Sequence, residues 1–208
     1  MEDSLSLRVV VCAYRDVCSY TAASLLSLAK TFPGLEFALY TGMNTPEARI
    51  AAVKACEEDY LLFVDSDIVF TLNDFVMILD TLIKNPDLGA LSALYYKWSN
   101  DAPIAGWLQE DGEWLPGDKV LYRVDKYKKK KAVEEVDSAG AGFLLIDTKV
   151  FEDLEEPWFV LGPGMTEDTY FLQKIKEKGF KPSIHFGVEV GHIGPKIVGG
   201  GGYGINFS

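Results

Sequence analysis

Short apolar runs, each followed by a stretch with helical spacing, constrain this chain more than anything else in it. Residues 8–13 (RVVVCA), 35–40 (LEFALY) and 60–64 (YLLFV) are almost continuously apolar. A half-exposed strand would alternate, so such runs suit strands buried on both faces of a parallel sheet. Residues 17–30 carry leucines and alanines at helical spacing and stop at Pro33 and Gly34. A second helix is predicted from Thr45 to about Glu58, with Pro46 at its first position. Thr71 and Asp74 form a capping-box variant for a third helix. Its apolar face is Leu72, Phe75, Val76, Leu79, Leu82 and Ile83. Residues 88–94 give a fourth strand. Strand and helix thus alternate through residue 94, which specifies a doubly wound α/β layer.

Beyond that point the periodicity fails. Residues 95–136 are rich in aromatics, glycines and prolines, and they predict hairpins or an irregular β-rich insertion. The basic run KYKKKK at 126–131 reads as a solvated hairpin tip, or as an attractor for an anionic acceptor or an acidic membrane surface. Tyr95, Tyr96, Trp98, Trp107 and Trp114 crowd the same region as insertion core, with one or two expected to cover the C–H face of a sugar. Residues 141–146 (AGFLLI) return as a core strand. Residues 166–178 predict a helix capped by Thr166 and ended by Gly179, and residues 183–190 one or two short strands. The glycine-rich residues 195–208 are expected to form a flexible tail.

Composition narrows the function classes. At 208 residues the chain is expected to be a single domain. A net charge of -11 argues against a general nucleic-acid binder. Cys12, Cys18 and Cys56 lack zinc spacing, and their odd number argues against a disulfide framework, so a reducing, cytoplasmic setting is expected. The N-terminus does not read as a signal peptide. No apolar run approaches the ~20 residues of a membrane span, which leaves peripheral contact at most.

The run at 60–64 leads directly into Asp65, Ser66 and Asp67. In open α/β sheets ligands gather at the carboxyl ends of strands, where these acids stand. Two carboxylates one residue apart repel each other. A divalent cation resolves this, and hard oxygens suit Mg2+ or Mn2+, which also take phosphate oxygens from substrate. A polar turn or helix cap is the plainer reading, but Thr71 and Asp74 already cap the next helix. Glu167 and Asp168 fall in the first turn of the predicted helix at 166–178. They either stabilise its positive end or supply a general base. His192, flanked by glycines, is favoured over His185 as a metal or phosphate partner.

The order of these pieces carries a resemblance. A strand ends in D-S-D, then come VDSAGAGFLLI at 136–146, TEDTYF at 166–171 and GH at 191–192. Over nearly the whole chain this resembles a family-2-type glycosyltransferase of the GT-A fold. That fold is a Rossmann-like mixed sheet flanked by helices. The resemblance implies a nucleotide-binding half at 1–94 and an acceptor-side half at 95–194. It implies a nucleotide-diphosphate sugar donor held through Mn2+ or Mg2+ by Asp65, Asp67 and His192, with Asp65 and Ser66 near the ribose or sugar. Ala13, Tyr14 and Arg15 match the place where the base packs, and Arg49 matches a nucleotide-contacting arginine. Gly140, Ala141 and Gly142 match a stretch lining the donor sugar. Asp168, or failing it Glu167, matches the base of an inverting reaction on an acceptor hydroxyl of a glycan, lipid or protein. The first strand ends in CAYR, where the family more often has proline-threonine-tyrosine-asparagine. The Q-x-x-R-W motif of processive synthases is absent, so a non-processive enzyme is implied. Two alternatives remain open: a sugar-phosphate nucleotidyltransferase, and a non-catalytic nucleotide or carbohydrate binder.

Overall fold

A computed structural model of the protein describes residues 6–194 and the backbone of residues 197–198. The rest of the predicted tail lies outside the described residues. The first half runs β1 (Leu7–Ala13), α1 (Ser19–Thr31), β2 (Glu36–Thr41), α2 (Thr45–Lys54), β3 (Tyr60–Asp65), β4 (Ile68–Val69), α3 (Leu72–Lys84) and β5 (Ala90–Leu94). The second half runs β6 (Ala105–Gly106), α4 (Gly117–Lys130), β7 (Val133–Glu135), β8 (Ser138–Ala139), β9 (Phe143–Asp147), α5 (Glu167–Glu177), β10 (Ser183–Glu189), β11 (Gly191–Ile193) and β12 (Ile197–Val198).

Seven strands form one mixed sheet in the order β2-β1-β3-β9-β5-β10-β7. Strands β2, β1, β3, β5 and β10 run parallel, and β9 and β7 oppose them. Strand β9 lies between β3 and β5, with Leu145 opposite both Leu62 and Leu91. The central strands are apolar on both faces because both faces are covered. Val10, Phe63 and Leu144 face one core with α2, α4 and α5, where Ala52, Val124 and Phe171 are buried. Val9, Leu62 and Leu145 face the other with α1 and α3, through Leu28, Phe75 and Leu82. The predicted capping box is present: the Thr71 hydroxyl accepts from the Asp74 amide, and Asp74 accepts from the Thr71 amide.

The structure departs from the sequence reading in several places. Helix α2 is capped by Asn44, whose side chain accepts from the Glu47 amide, so Pro46 takes the second position. It ends at Lys54 and not near Glu58, because Glu58 leaves the helix to pair with Arg8 at 2.9 Å. The region read as irregular holds a 14-residue helix, α4, in addition to its short strands. The basic run at 126–131 is therefore the end of a helix and no hairpin tip. Only Val124 of α4 is buried, so its apolar stripe is narrow. Its lysines sit in the last turn, where the helix dipole favours cations. Among the described residues no helix is long and apolar enough to cross a membrane.

Candidate active site

The carboxyl end of β3 brings the predicted acids together. Asp65 is the last residue of the strand, and its amide donates to the Gly142 carbonyl at 2.9 Å. Ser66 and Asp67 turn the chain into β4, and the Ser66 carbonyl accepts from the Cys18 amide at 2.8 Å. Strand β4 pairs antiparallel with β11, setting His192 opposite Ile68. The Ile193 amide also donates to the Asp67 carbonyl at 2.8 Å. Two residues 125 apart in sequence thereby meet: His192 Nε2 lies 3.2 Å from Asp67 Oδ2.

The other His192 nitrogen, Nδ1, faces the Tyr96 carbonyl at 2.9 Å. A carbonyl only accepts, so Nδ1 carries the proton. A neutral imidazole then presents a lone pair at Nε2, directly towards a carboxylate oxygen. Two acceptors in that position call for a proton or a cation between them. Burial works against the imidazolium, but the bonds to Asp67 and Tyr96 and the charges of Asp67 and Asp65 outweigh it, so the His192 pKa is raised. Asp67 and His192 would suit a divalent metal, since one hard oxygen and one imidazole nitrogen are suitable donors for Mg2+ or Mn2+. Tyr96 is the outer partner that fixes the ring, as is usual for ligating histidines. Among the described residues no three His, Cys, Asp and Glu side chains form a ready-made metal cluster. Of the three ligands expected from sequence, Asp67 and His192 are brought into contact, while Asp65 turns elsewhere.

Asp65 turns to Arg49. The Arg49 side chain on α2 is only 2% exposed and bridges two elements. Its Nη2 donates to Asp65 Oδ1 at 3.0 Å, and its Nη1 donates to Glu167 Oε1 at the start of α5. Its guanidinium stands over the rings of Phe63 and Phe159, and its Nε has no hydrogen-bond partner. Burial disfavours the guanidinium, yet the charges of Asp65, Glu167 and Asp168 raise its pKa further. Desolvation raises Asp65, Arg49 opposes that rise, and the Asp67 charge adds to it. Desolvation likewise raises Glu167 against the opposing pull of Arg49. Nearby, burial pushes the Cys12 thiol up to about 12, which makes it a neutral neighbour and no nucleophile. Arg49 is thus a buried strut between two carboxylates, where the family resemblance implies a nucleotide contact. Glu167 is correspondingly occupied by a cation.

Asp168 is placed differently. One turn-start residue on, its Oδ2 accepts from the Ala141 amide at 3.3 Å and its Oδ1 from the Thr169 amide at 2.7 Å. The Thr166 hydroxyl also donates to Oδ1. Thr166 holds the N-cap position as expected, but its hydroxyl serves Asp168 and makes no cap bond to the helix. Among the described residues no cation forms an ion pair with Asp168, which lines an open cavity of about 420 Å³.

The stretch Gly140 to Gly142 is buried against Tyr95, which follows β5. A methyl group on Gly140 would come within 1.9 Å of the Tyr95 hydroxyl, and one on Gly142 within 2.8 Å. The Gly142 amide donates to that hydroxyl at 2.9 Å, and the Tyr95 ring meets His192 edge-on at 5.6 Å. Tyr95 therefore links the loop under Asp168 to the ring beside Asp67. The sequence reading saw Tyr95 only as one of several aromatics. The paired glycines were the available signal, since bare backbone at two alternate positions implies a large neighbour. At the far end of the crevice Ala13 is buried, while Tyr14 is 68% exposed and carries Arg15 over its ring at 5.8 Å.

Neither a protein-family model nor a curated protein matches the chain. Solved structures do. A crystal structure of A197 from STIV matches with a TM-score of 0.63 over 91% of this chain and 86% of that one, at 18% identity. A crystal structure of GalNAc-T7 with UDP, GalNAc and Mn2+ matches with a TM-score of 0.58 over 93% of this chain, at 15% identity. The match covers 45% of the GalNAc-T7 chain, so this protein spans less than half of it. The mixed sheet and its flanking helices have the GT-A glycosyltransferase fold.

Proposed function

We propose that the protein is a metal-dependent glycosyltransferase that moves a sugar from a nucleotide-diphosphate donor to an acceptor hydroxyl, with inversion and without processivity. One observation carries the reading. Of four acids gathered at the carboxyl end of the sheet, Asp65 and Glu167 share Arg49 and Asp67 faces His192, whereas Asp168 alone lines the cavity. A carboxylate held by two amides and a hydroxyl is fixed in orientation to accept a proton. In this reading Asp168 takes the proton of the acceptor hydroxyl. That oxygen bonds to the anomeric carbon as the bond to the diphosphate breaks on the opposite face. A divalent metal held by Asp67 and His192, with Asp65 beside them, would offset the charge on the departing diphosphate. The exposed Tyr14 and Arg15 are suited to pack on the base, and the Mn2+ and UDP of the GalNAc-T7 structure agree with a donor of this class.

A nucleotidyltransferase is disfavoured by the turn after β1, where Ala13, Tyr14, Arg15 and Asp16 supply no glycine to wrap a triphosphate. The deciding experiment incubates the protein with a panel of nucleotide sugars, with and without Mn2+, and assays nucleoside diphosphate release. Release from one donor, dependent on metal and lost in Asp168→Asn, is the expected result. Pyrophosphate release from a nucleoside triphosphate and a sugar phosphate would instead select the nucleotidyltransferase. Nucleotide binding without turnover of any donor would select the non-catalytic binder.

A further inference from the structure

We infer that the cavity beside Asp168 is the acceptor site, and that it takes a small hydroxylated molecule with one ring face and one anionic group. This rests on the transferase reading above and adds the acceptor class to it. The cavity, about 420 Å³, lies within the usual range for small-molecule sites and is too small for a folded partner.

Three parts of its wall carry the assignment. The first is a row of hydroxyls. Ser138 Oγ lies 2.7 Å from Thr169 Oγ1, which lies 3.0 Å from Thr166 Oγ1, and Thr166 donates to Asp168. All four residues line the cavity. With each hydroxyl hydrogen directed along the row towards the carboxylate, the row offers lone pairs to a polyhydroxylated ligand whose own hydroxyls donate, one of them to Asp168.

The second part is Trp114. It is 41% exposed and lines the cavity. A Cβ on Gly106 would come within 3.0 Å of its ring, so this glycine lets the indole lie against strand β6. The surrounding loop is pinned by the Leu115 amide donating to the Trp107 carbonyl at 2.8 Å and by the Leu108–Trp114 bridge. A rigid, accessible indole is a platform for the C–H face of a sugar or for another flat ring.

The third part is Lys97. Among the described residues of the lining, Asp168 and Lys97 are the formally charged ones. Among the described residues the Lys97 ammonium has no ion-pair partner, although the chain carries 31 acidic residues against 20 basic ones. Ile104, Leu115, Val120 and Met165 make the rest of the wall largely apolar. A cation in the lining favours a ligand that carries an anionic group besides its reacting hydroxyl.

The test compares phenyl β-glucoside with phenyl β-glucuronide, two ring-bearing glycosides that differ by a carboxylate. Binding to the full chain is titrated by ligand-observed NMR. Both should bind, the glucuronide about two- to fivefold more tightly, as for a solvent-exposed ion pair. Lys97→Ala should abolish that preference and Lys97→Arg keep it. Trp114→Ala should weaken both glycosides about tenfold, with Trp114→Phe retaining most of the affinity. The conservative variants keep the answer readable if either alanine variant folds poorly. Absence of binding by both glycosides, or a preference that survives in Lys97→Ala, overturns the assignment. Mn2+-dependent hydrolysis of a nucleotide sugar, measured without any acceptor, reads the transferase separately. Hydrolysis without glycoside binding sinks the cavity assignment alone. Glycoside binding without release from any donor sinks the transferase, and the acceptor role with it.

Discussion

The two acidic motifs of this protein are built on the same plan, and each splits its labour. In D-S-D the first acid, Asp65, goes to Arg49, and the second, Asp67, faces His192. In the E-D pair the first acid, Glu167, goes to Arg49, and the second, Asp168, lines the cavity. One buried guanidinium therefore ties the end of β3 to the start of α5 and leaves one carboxylate on each side outside its ion pairs. The lesson is that a cluster of acids at a sheet edge need not be a cluster of ligands. Half of this one supplies the frame that fixes the other half. Burying a charged group without partners is expensive, so the frame holds only while all three members are present.

The largest expected effect breaks that frame. Arg49→Met removes the shared cation and leaves Asp65 and Glu167 facing each other in a partly dry site. Breaking a buried ion pair costs ~3–5 kcal/mol. For a chain of this size that lowers Tm by roughly 6–20 °C, which differential scanning calorimetry measures. Arg49→Lys should recover little, because a single ammonium cannot serve two carboxylates in a fixed fork. A melting point unchanged by either substitution would show that Arg49 is no strut.

The next largest effect separates the two halves of the E-D pair. Asp168→Asn should lower kcat by about 10²–10⁴-fold, the usual worth of a general base, while Tm stays near that of the parent. Glu167→Gln should do the reverse, because its neutral amide leaves Arg49 under-compensated. Its Tm should fall, with turnover reduced only through misplacement of the neighbouring aspartate. Steady-state kinetics beside a melting curve for each variant distinguishes the two. Equal behaviour of the pair would erase the contrast on which the base assignment rests.

This division of labour was only half legible in the sequence. The continuous apolar runs of β1 and β3 announce strands covered on both sides, and the acids after Val64 follow from where that strand must end. The capping box at Thr71 and the stop at Gly179, which has a φ of 92°, are local chemistry and were equally readable. The partners of Arg49 were not. Arginine on a helix reads the same whether its guanidinium reaches solvent, a nucleotide or two carboxylates, and only packing against Phe63 and Phe159 decides. Helix α4 was hidden for a different reason. Most of its residues face water, so its periodicity rests on Val120, Val124 and Tyr127 within a lysine-rich segment. Tyr95 was hidden because its role is to fill the space that Gly140 and Gly142 leave, and they lie 45 and 47 residues away.

On the other acidic motif the expected effect is smaller and depends on ligand. A nucleoside diphosphate at ~100 times its Kd should stabilise the protein by about 2.7 kcal/mol, or roughly 5–10 °C, when Mn2+ is present. Asp67→Ala should abolish the metal-dependent part of that shift. His192→Ala should weaken metal affinity by about tenfold or more, as loss of a metal's near neighbours commonly does. Asp65→Asn sharpens the comparison, because its main partner is Arg49. It should lower the ligand-free melting point and keep more of the Mn2+ response than Asp67→Ala does. The opposite ranking would make Asp65 the principal ligand and reduce Arg49 to an electrostatic neighbour.

The smallest effect concerns the two histidines, where the same contrast recurs. His192 stands beside a carboxylate and has a raised pKa. His185 is 7% exposed in the middle of β10, where its Nδ1 accepts from the Gly187 amide at 3.1 Å, and among the described residues no acid pairs with it. Burial lowers its pKa below the usual 6.5. A lowered folded-state pKa means that the unfolded chain binds more protons in the interval between the two values. Stability from His185 is therefore complete above about pH 6.5 and is lost as pH falls through that interval. His185→Gln should flatten the acid side of the Tm–pH curve just below pH 6.5, measured without metal. His192→Gln should tilt it the other way. The raised His192 pKa contributes stability that is present below about 6.5 and lost above it, and the variant forfeits that contribution. Flattening of the acid side by His192→Gln as well would mean that Asp67 does not hold the His192 proton, and that their contact is a product of β4–β11 pairing alone.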